Sequence, residues 1–313
     1  MNRKINSNFS LLIILYSSLL IAISQVLFLK LSPQIYSIFN PLPFLFVGLS
    51  IKYKEFLLSV LFSIILLFIL QKIISSGDIL QERSLILHSI VSLITIIFIS
   101  LCHLMDKHKL SSSHLISITN IFFLILFFLF YSLFYKNLDH ENTKQYFSEI
   151  ISQITQNYSE KQVHRIEEIA DILILIFPSI NSVVFFITFS LNFMLAKLLV
   201  KKSKFIQVFN IDFRNYKTPV WFSSIFIAFL FSSIILNSPI KDFSINASIF
   251  MSFCYLFEGF RLFNNLFDKA PIKRNLKFLI IFLLFIFLGY LLLLIILFLG
   301  FYENVRNIKK NKE

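Results

Sequence analysis

The chain has 313 residues and a net charge of +12, is 57% hydrophobic with 41 Phe, and carries only 15% charged residues. A soluble domain carries about 25% charged residues and needs them to cover its core, so a water-soluble globule is excluded. The mean hydropathy of +0.79 comes with apolar blocks of about 17–25 residues, the length that crosses ~30 Å of hydrocarbon as a helix. A membrane β-barrel is excluded as well, because its strands alternate apolar and polar residues over about 10 positions whereas these blocks are apolar all round. The fold class is therefore all-α, a polytopic helical integral membrane protein with about 8–9 transmembrane helices.

In chain order, the first span covers 9–29, behind Arg3 and Lys4. Its apolar stretch is longer than that of a signal peptide, and Lys30 follows it where a small-residue cleavage site would stand. The next segment, SPQIYSIFNPLPFLFVGLSI (32–51), contains Pro41 and Pro43. Each removes a backbone donor, so this span is predicted to be broken, with a short helix over 41–51. Further spans are predicted over 55–73, 85–105 and 114–135. The polar segment 136–171 follows, with Phe147, Ile150, Ile151 and Ile154 at helical spacing. That pattern predicts an amphipathic helix on the membrane surface. Ser159 and Gln162 resemble a capping box opening a helix that runs into a span over 172–198, with Pro178 inside it. Spans over 219–237 and 243–264 and a last apolar run over 278–302 complete a single integral membrane domain, 1–313.

Lys and Arg cluster in the short segments 1–4, 52–54, 107–109, 201–217 and 269–277. These fall on one side if every block crosses once, as the positive-inside rule requires. The 136–171 segment, with seven acidic residues against four Lys and Arg, falls on the other. The expectation is a cytoplasmic N-terminus and an extracytoplasmic polar segment at 136–171. The basic tail conflicts with nine single crossings. Either the last run bends back near Gly289 or one span is miscounted. The abundance of Ile, Lys, Asn and Phe matches an AT-rich bacterial genome, so the expected location is a bacterial cytoplasmic membrane. The basic charge marks loops, and no basic stripe on a folded domain points to nucleic acid.

No phosphate-binding loop, dinucleotide fingerprint or zinc-protease helix occurs, and five glycines in the whole chain leave no nucleotide cradle. No cofactor or metal site is expected. Cys102 and Cys254 lie in or beside apolar blocks and form no disulfide framework. His88, His103, His108 and His114 lack ligand spacing, and His164, Glu167, Glu168 and Asp171 read as a solvated helix face. The sequon at Asn157 carries little meaning in a bacterial chain. The residues singled out as a polar or partner site are Glu258 and Arg261, three apart and able to pair on one helix face, with Asn120, Asn181 and Asn192 inside apolar helices, where an amide needs a partner. The simplest placement of Glu258 and Arg261 is the cytoplasmic rim, with the arginine snorkelling. Gly259 between them admits a close neighbouring helix.

Three stretches carry a family resemblance: NPLPFLFVGLSI, NFMLAKLLVKKSK, and CYLFEGFRLFNNLF with the later GFYENVRNIKK. Their order resembles the YybS-like family of bacterial membrane proteins, the domain of unknown function 2232. Gly300 and Arg306 match the family's C-terminal pattern and Glu303 stands near an expected acid, while its tryptophan and second acid are missing. The family is distantly similar to the substrate-binding membrane subunits of energy-coupling-factor transporters. The resemblance implies a small-solute-binding subunit that works with a separate energising partner, a cytoplasmic ATPase module. The alternative is a non-enzymatic scaffold in envelope assembly or division, bound to other membrane proteins. Enzymatic activity is not expected.

Overall fold

The computed structural model describes residues 2–74, 79–108, 111–135, 160–203, 216–269, 276, 279–280, 283–284 and 287–310. The amphipathic stretch over 147–154, Asn157, the Ser159 cap and most of the basic loop 201–217 lie outside these residues. The described chain is all helical: α1 (Asn2–Leu31), α2 (Pro33–Phe39), α3 (Pro41–Ser50), α4 (Tyr53–Ile74), α5 (Ile79–Lys107), α6 (Ser112–Tyr135), α7 (Glu160–Lys202), α8 (Val220–Ile235), α9 (Ile240–Lys269) and α10 (Tyr290–Lys310). By length and composition four of them can cross a membrane, through Ser10–Leu31, Tyr53–Leu70, Leu175–Lys202 and Ile240–Leu266. The expected count of about 8–9 included spans over 85–105, 114–135 and 219–237, where the described residues give the shorter apolar stretches His88–Leu104, Ser112–Leu126 and Val220–Ile235. It also included two runs that proline and glycine interrupt.

The chain forms two compact units, one from 1–110 with 187–211 and one from 111–186 with 212–313. Helix α7 therefore gives its first part to the second unit and its last part to the first.

In the first unit α1 packs along α4, and α3 packs on α1 and α5. The buried stripe of α1 is Ile14, Ser18, Ile21, Ala22 and Gln25, and that of α4 is Phe56, Ser59, Val60, Ser63 and Leu67. Both repeat every three to four residues, the period of one helix face, and their serines and alanine let the backbones approach. The other faces expose Leu11, Leu15, Leu19, Leu58, Leu61 and Ile65, as a lipid-facing surface would. Gly48 on α3 is small for a steric reason. A methyl group there would meet Ile99 at 2.9 Å and Phe56 at 3.2 Å.

The interruption expected within 32–51 is present. Ser32 accepts a hydrogen bond from the Ile35 N–H (3.0 Å) and opens α2. The helix then stops at Asn40, ahead of Pro41, because Pro41 and Pro43 have no N–H for the carbonyls one turn back.

In the second unit α9 is the central helix. Its apolar stretch is 56% buried, against 28–33% for the other three long spans. It packs on α6, α8 and α10. The aromatic core joins Phe186 on α7 edge-on to Phe123 on α6 and to Phe250, Phe253 and Phe257 on α9. Pro178 stays inside α7, and Asn246 of α9 accounts for this. Its side-chain oxygen accepts from the Ser179 N–H (3.0 Å), and its amide nitrogen donates to the Leu175 carbonyl (2.9 Å). An undisturbed helix joins those two backbone groups to each other.

Helices α9 and α10 touch through backbone. A methyl group on Gly259 would overlap the Ile296 carbonyl, and one on Gly300 would overlap the Tyr255 carbonyl. Tyr255 and Gly259 form one i,i+4 row, and Ile296, Gly300 and Asn304 form the facing one. Gly289 begins α10 with φ +48°, a left-handed conformation that glycine adopts without cost. The last apolar run is thus divided at Gly289, as one of the two sequence alternatives anticipated.

Two predictions follow from this packing. Gly300→Leu cannot keep the backbone contact and should destabilise the second unit by about 1–3 kcal/mol or more, read as a lower melting temperature of the detergent-solubilised protein. Asn246→Leu should cost about 1–3 kcal/mol, because two buried backbone groups lose their partner, and the same melting assay checks it.

Candidate functional site

Two polar centres are built inside this apolar protein. The first, in the second unit, surrounds the short segment Tyr216–Pro219 that leads into α8. The Thr218 N–H donates to Glu258 Oε2 (2.9 Å) and the Thr218 carbonyl accepts from the Asn304 amide (2.6 Å). Ser223 donates to Asn304 Oδ1 (2.5 Å), and the Tyr255 hydroxyl donates to Ser223 (2.9 Å). The Tyr216 hydroxyl shares a 2.8 Å hydrogen bond with Ser117, and the Lys217 N–H donates to Ser113 (3.0 Å). Helices α6, α9 and α10 thus hold one loop through its backbone and side chains. Burial pushes the Tyr216 phenol well above its ordinary range, so it serves this network as a neutral group.

Glu258 is 0% exposed. Its neighbour Arg261 lies 3.5 Å away, with 14% of its side chain exposed. This is charge pairing at the edge of contact and not an aligned hydrogen bond. The pair forms, as the three-residue spacing predicts. The carboxylate is enclosed by protein, and Pro219 caps α8 without any side-chain hydrogen bond of its own. Glu258 supplies a negative group beside that N-terminus, where the helix dipole favours one. Sequence spacing could find the ion pair but could not find Thr218, because the two lie 40 residues apart.

The second centre lies in the first unit, at the interruption between α2 and α3. The Gln25 amide donates to the Asn40 carbonyl (2.9 Å), and the Asn192 amide donates to the carbonyls of Ile38 (2.7 Å) and Thr188 (2.8 Å). Asn40 and Gln25 are 0% and 1% exposed, Asn192 3% and His88 0%. The amide oxygens of Gln25 and Asn192, both amide atoms of Asn40 and both ring nitrogens of His88 make no hydrogen bond of proper geometry. The Tyr36 phenol lies beside the Asn40 side chain, where the two interact through a looser hydrogen-bonding contact. Phe44, one turn after Asn40, faces His88 with ring centroids 4.9 Å apart.

Of the asparagines singled out from sequence, Asn192 belongs to this second centre. Asn120 is buried in the other unit with its amide unpartnered, and Asn181 is exposed on α7. Asn181 is exposed on the described surface of α7, off the buried face that carries Ser182 and Phe186. Gln25, Asn40, Asn246 and Asn304 were not singled out. A signal for Gln25 was available, since an amide in the middle of a span needs an internal partner. For Asn40 the signal was its place directly before Pro41.

Replacing Glu258 by Ala leaves the Thr218 N–H and the Arg261 guanidinium without their carboxylate. The expected loss is about 3–5 kcal/mol, as for breaking one side of a buried pair. Glu258→Gln, which retains an acceptor for Thr218, should lose less. Membrane levels and melting temperature of the two variants check this order, and equal stability of Glu258→Ala and the parent would refute it.

No curated protein and no solved structure matches the chain. A family model described as a predicted membrane protein of the domain of unknown function 2232 matches residues 14–302. The chain therefore belongs to the domain of unknown function 2232 family of membrane proteins.

Proposed function

We propose that the protein is a small-solute-binding membrane subunit that works with a separate energising partner. The observation that carries this reading is the set of buried, unfilled amide groups at the α2–α3 interruption. An unpaired amide costs about 1–3 kcal/mol when kept from water, and a packing role alone would favour an apolar residue at Asn40. Interrupted helices whose freed backbone and side-chain polar groups gather at one place are a recurrent way to build a solute site in membranes. The family resemblance read from the sequence implies a distant similarity to energy-coupling-factor subunits, an analogy that favours the same reading. An ATP-driven function needs a partner subunit, since the sequence carries no nucleotide-binding motif of its own.

The Glu258 centre supports a different role. It joins α9 and α10 to both backbone groups of Thr218, while Glu258 Oε1, the Thr218 hydroxyl and two nitrogens of Arg261 stay without hydrogen-bond partners of proper geometry, so it is through these backbone contacts that it braces the second unit. Tagged full-length protein purified from its native membranes is expected to bring down a cytoplasmic ATPase. Recovery of wall-synthesis or division proteins in its place would overturn the transport reading in favour of a scaffold.

A further inference from the structure

We infer that the solute held at the α2–α3 interruption is uncharged and offers more hydrogen-bond donors than acceptors, an inference that rests on the solute-binding reading above. The backbone fixes which way the side chains point. Gln25 and Asn192 each aim their amide nitrogen at a main-chain carbonyl, and a carbonyl accepts only from a donor. Their oxygens must therefore be the free ends, and both are free. Asn40 adds one oxygen and one NH2 group, and His88 adds one donor and one acceptor in its neutral form. Counted by capacity, the free acceptors are three amide oxygens and one imidazole nitrogen, about seven lone pairs, against about four N–H groups: two on Asn40, the second on Gln25 and one on His88. They are tied together in space. Gln25 is bonded to Asn40, Asn192 is bonded two residues before it at Ile38, and His88 meets Phe44 one turn beyond. A solute bearing hydroxyl, primary amide or ring N–H groups satisfies this surplus of acceptors.

The exclusion of charge is independent of that count. Among the described residues of the first unit, the buried polar side chains are Ser, Thr, Gln, Asn and His, with no buried Asp, Glu, Lys or Arg. A carboxylate, phosphate or ammonium group entering there would give up its hydration without meeting a counter-charge.

The test uses full-length protein in lipid nanodiscs, melted with matched pairs of neutral and charged probes: nicotinamide with nicotinate, uracil with orotate, and glucose with gluconate. At least one neutral member is expected to raise the melting temperature saturably, with its charged partner at least tenfold weaker. Asn40→Leu and His88→Phe should each abolish that shift while leaving the solute-free melting temperature equal or higher, since each removes an unpaired buried polar group. Charged members that bind as well as or better than their neutral partners would overturn this inference and leave solute binding intact. No shift with any probe would overturn both. A solute-free melting temperature that falls in Asn40→Leu, with the neutral probe still bound, would make Asn40 a structural residue and also overturn the inference.

Discussion

Backbone N–H and C=O groups have no water to turn to inside an apolar protein, so every irregularity in a helix must be answered by a neighbour. The rest of this structure depends on that constraint. At Pro178 the answer is the Asn246 amide, which takes both backbone groups of the disturbed turn. At the entry to α8 it is Glu258 and Asn304, one on each side of the Thr218 peptide. At Asn40 it is Gln25 and Asn192. In each case a polar side chain in a long apolar helix serves a break in another part of the chain.

The glycine crossing of α9 and α10 shows how such an answer is positioned. Asn304 lies one turn beyond Gly300, and Glu258 is the residue before Gly259. Once the two backbones touch at the glycines, Asn304 and Glu258 reach the same loop from two helices. A larger residue at either glycine would part the helices and withdraw both groups together. The surface pair of Arg306 and Glu303, at 3.6 Å with the arginine 55% exposed, contributes little by comparison, because solvent screens it.

The three breaks differ in what they leave over. Asn246 spends both ends of its amide on the Pro178 turn. Thr218 has both its N–H and its carbonyl occupied, while its hydroxyl, Glu258 Oε1 and two nitrogens of the neighbouring Arg261 make no hydrogen bond of proper geometry. At Asn40 the backbone is served but the serving amides keep free oxygens, and Asn40 and His88 keep both polar atoms. The centre at Asn40 is distinguished by its makeup, unpaired amides and an imidazole with no buried charged side chain among the described residues of its unit.

Much of this was legible in the residues. Composition and block length determined a helical membrane protein, the two prolines after Asn40 determined an interrupted helix, and the three-residue spacing determined that Glu258 and Arg261 pair. Gly259 was readable as a point of close approach, and Gly289 as a place where the last run could turn. Helical period and chain-local chemistry act within a few residues, so sequence alone can decide them. Tertiary structure decided which helix Gly259 meets, which loop Glu258 holds, and that Asn181 faces outward while Asn192 reaches Ile38. Those outcomes join residues between 37 (Gly259 to Ile296) and 154 positions apart, and no local period carries information over that distance. The backbone's need for partners says that an amide in an apolar helix must be used. Only the packing of helices says where.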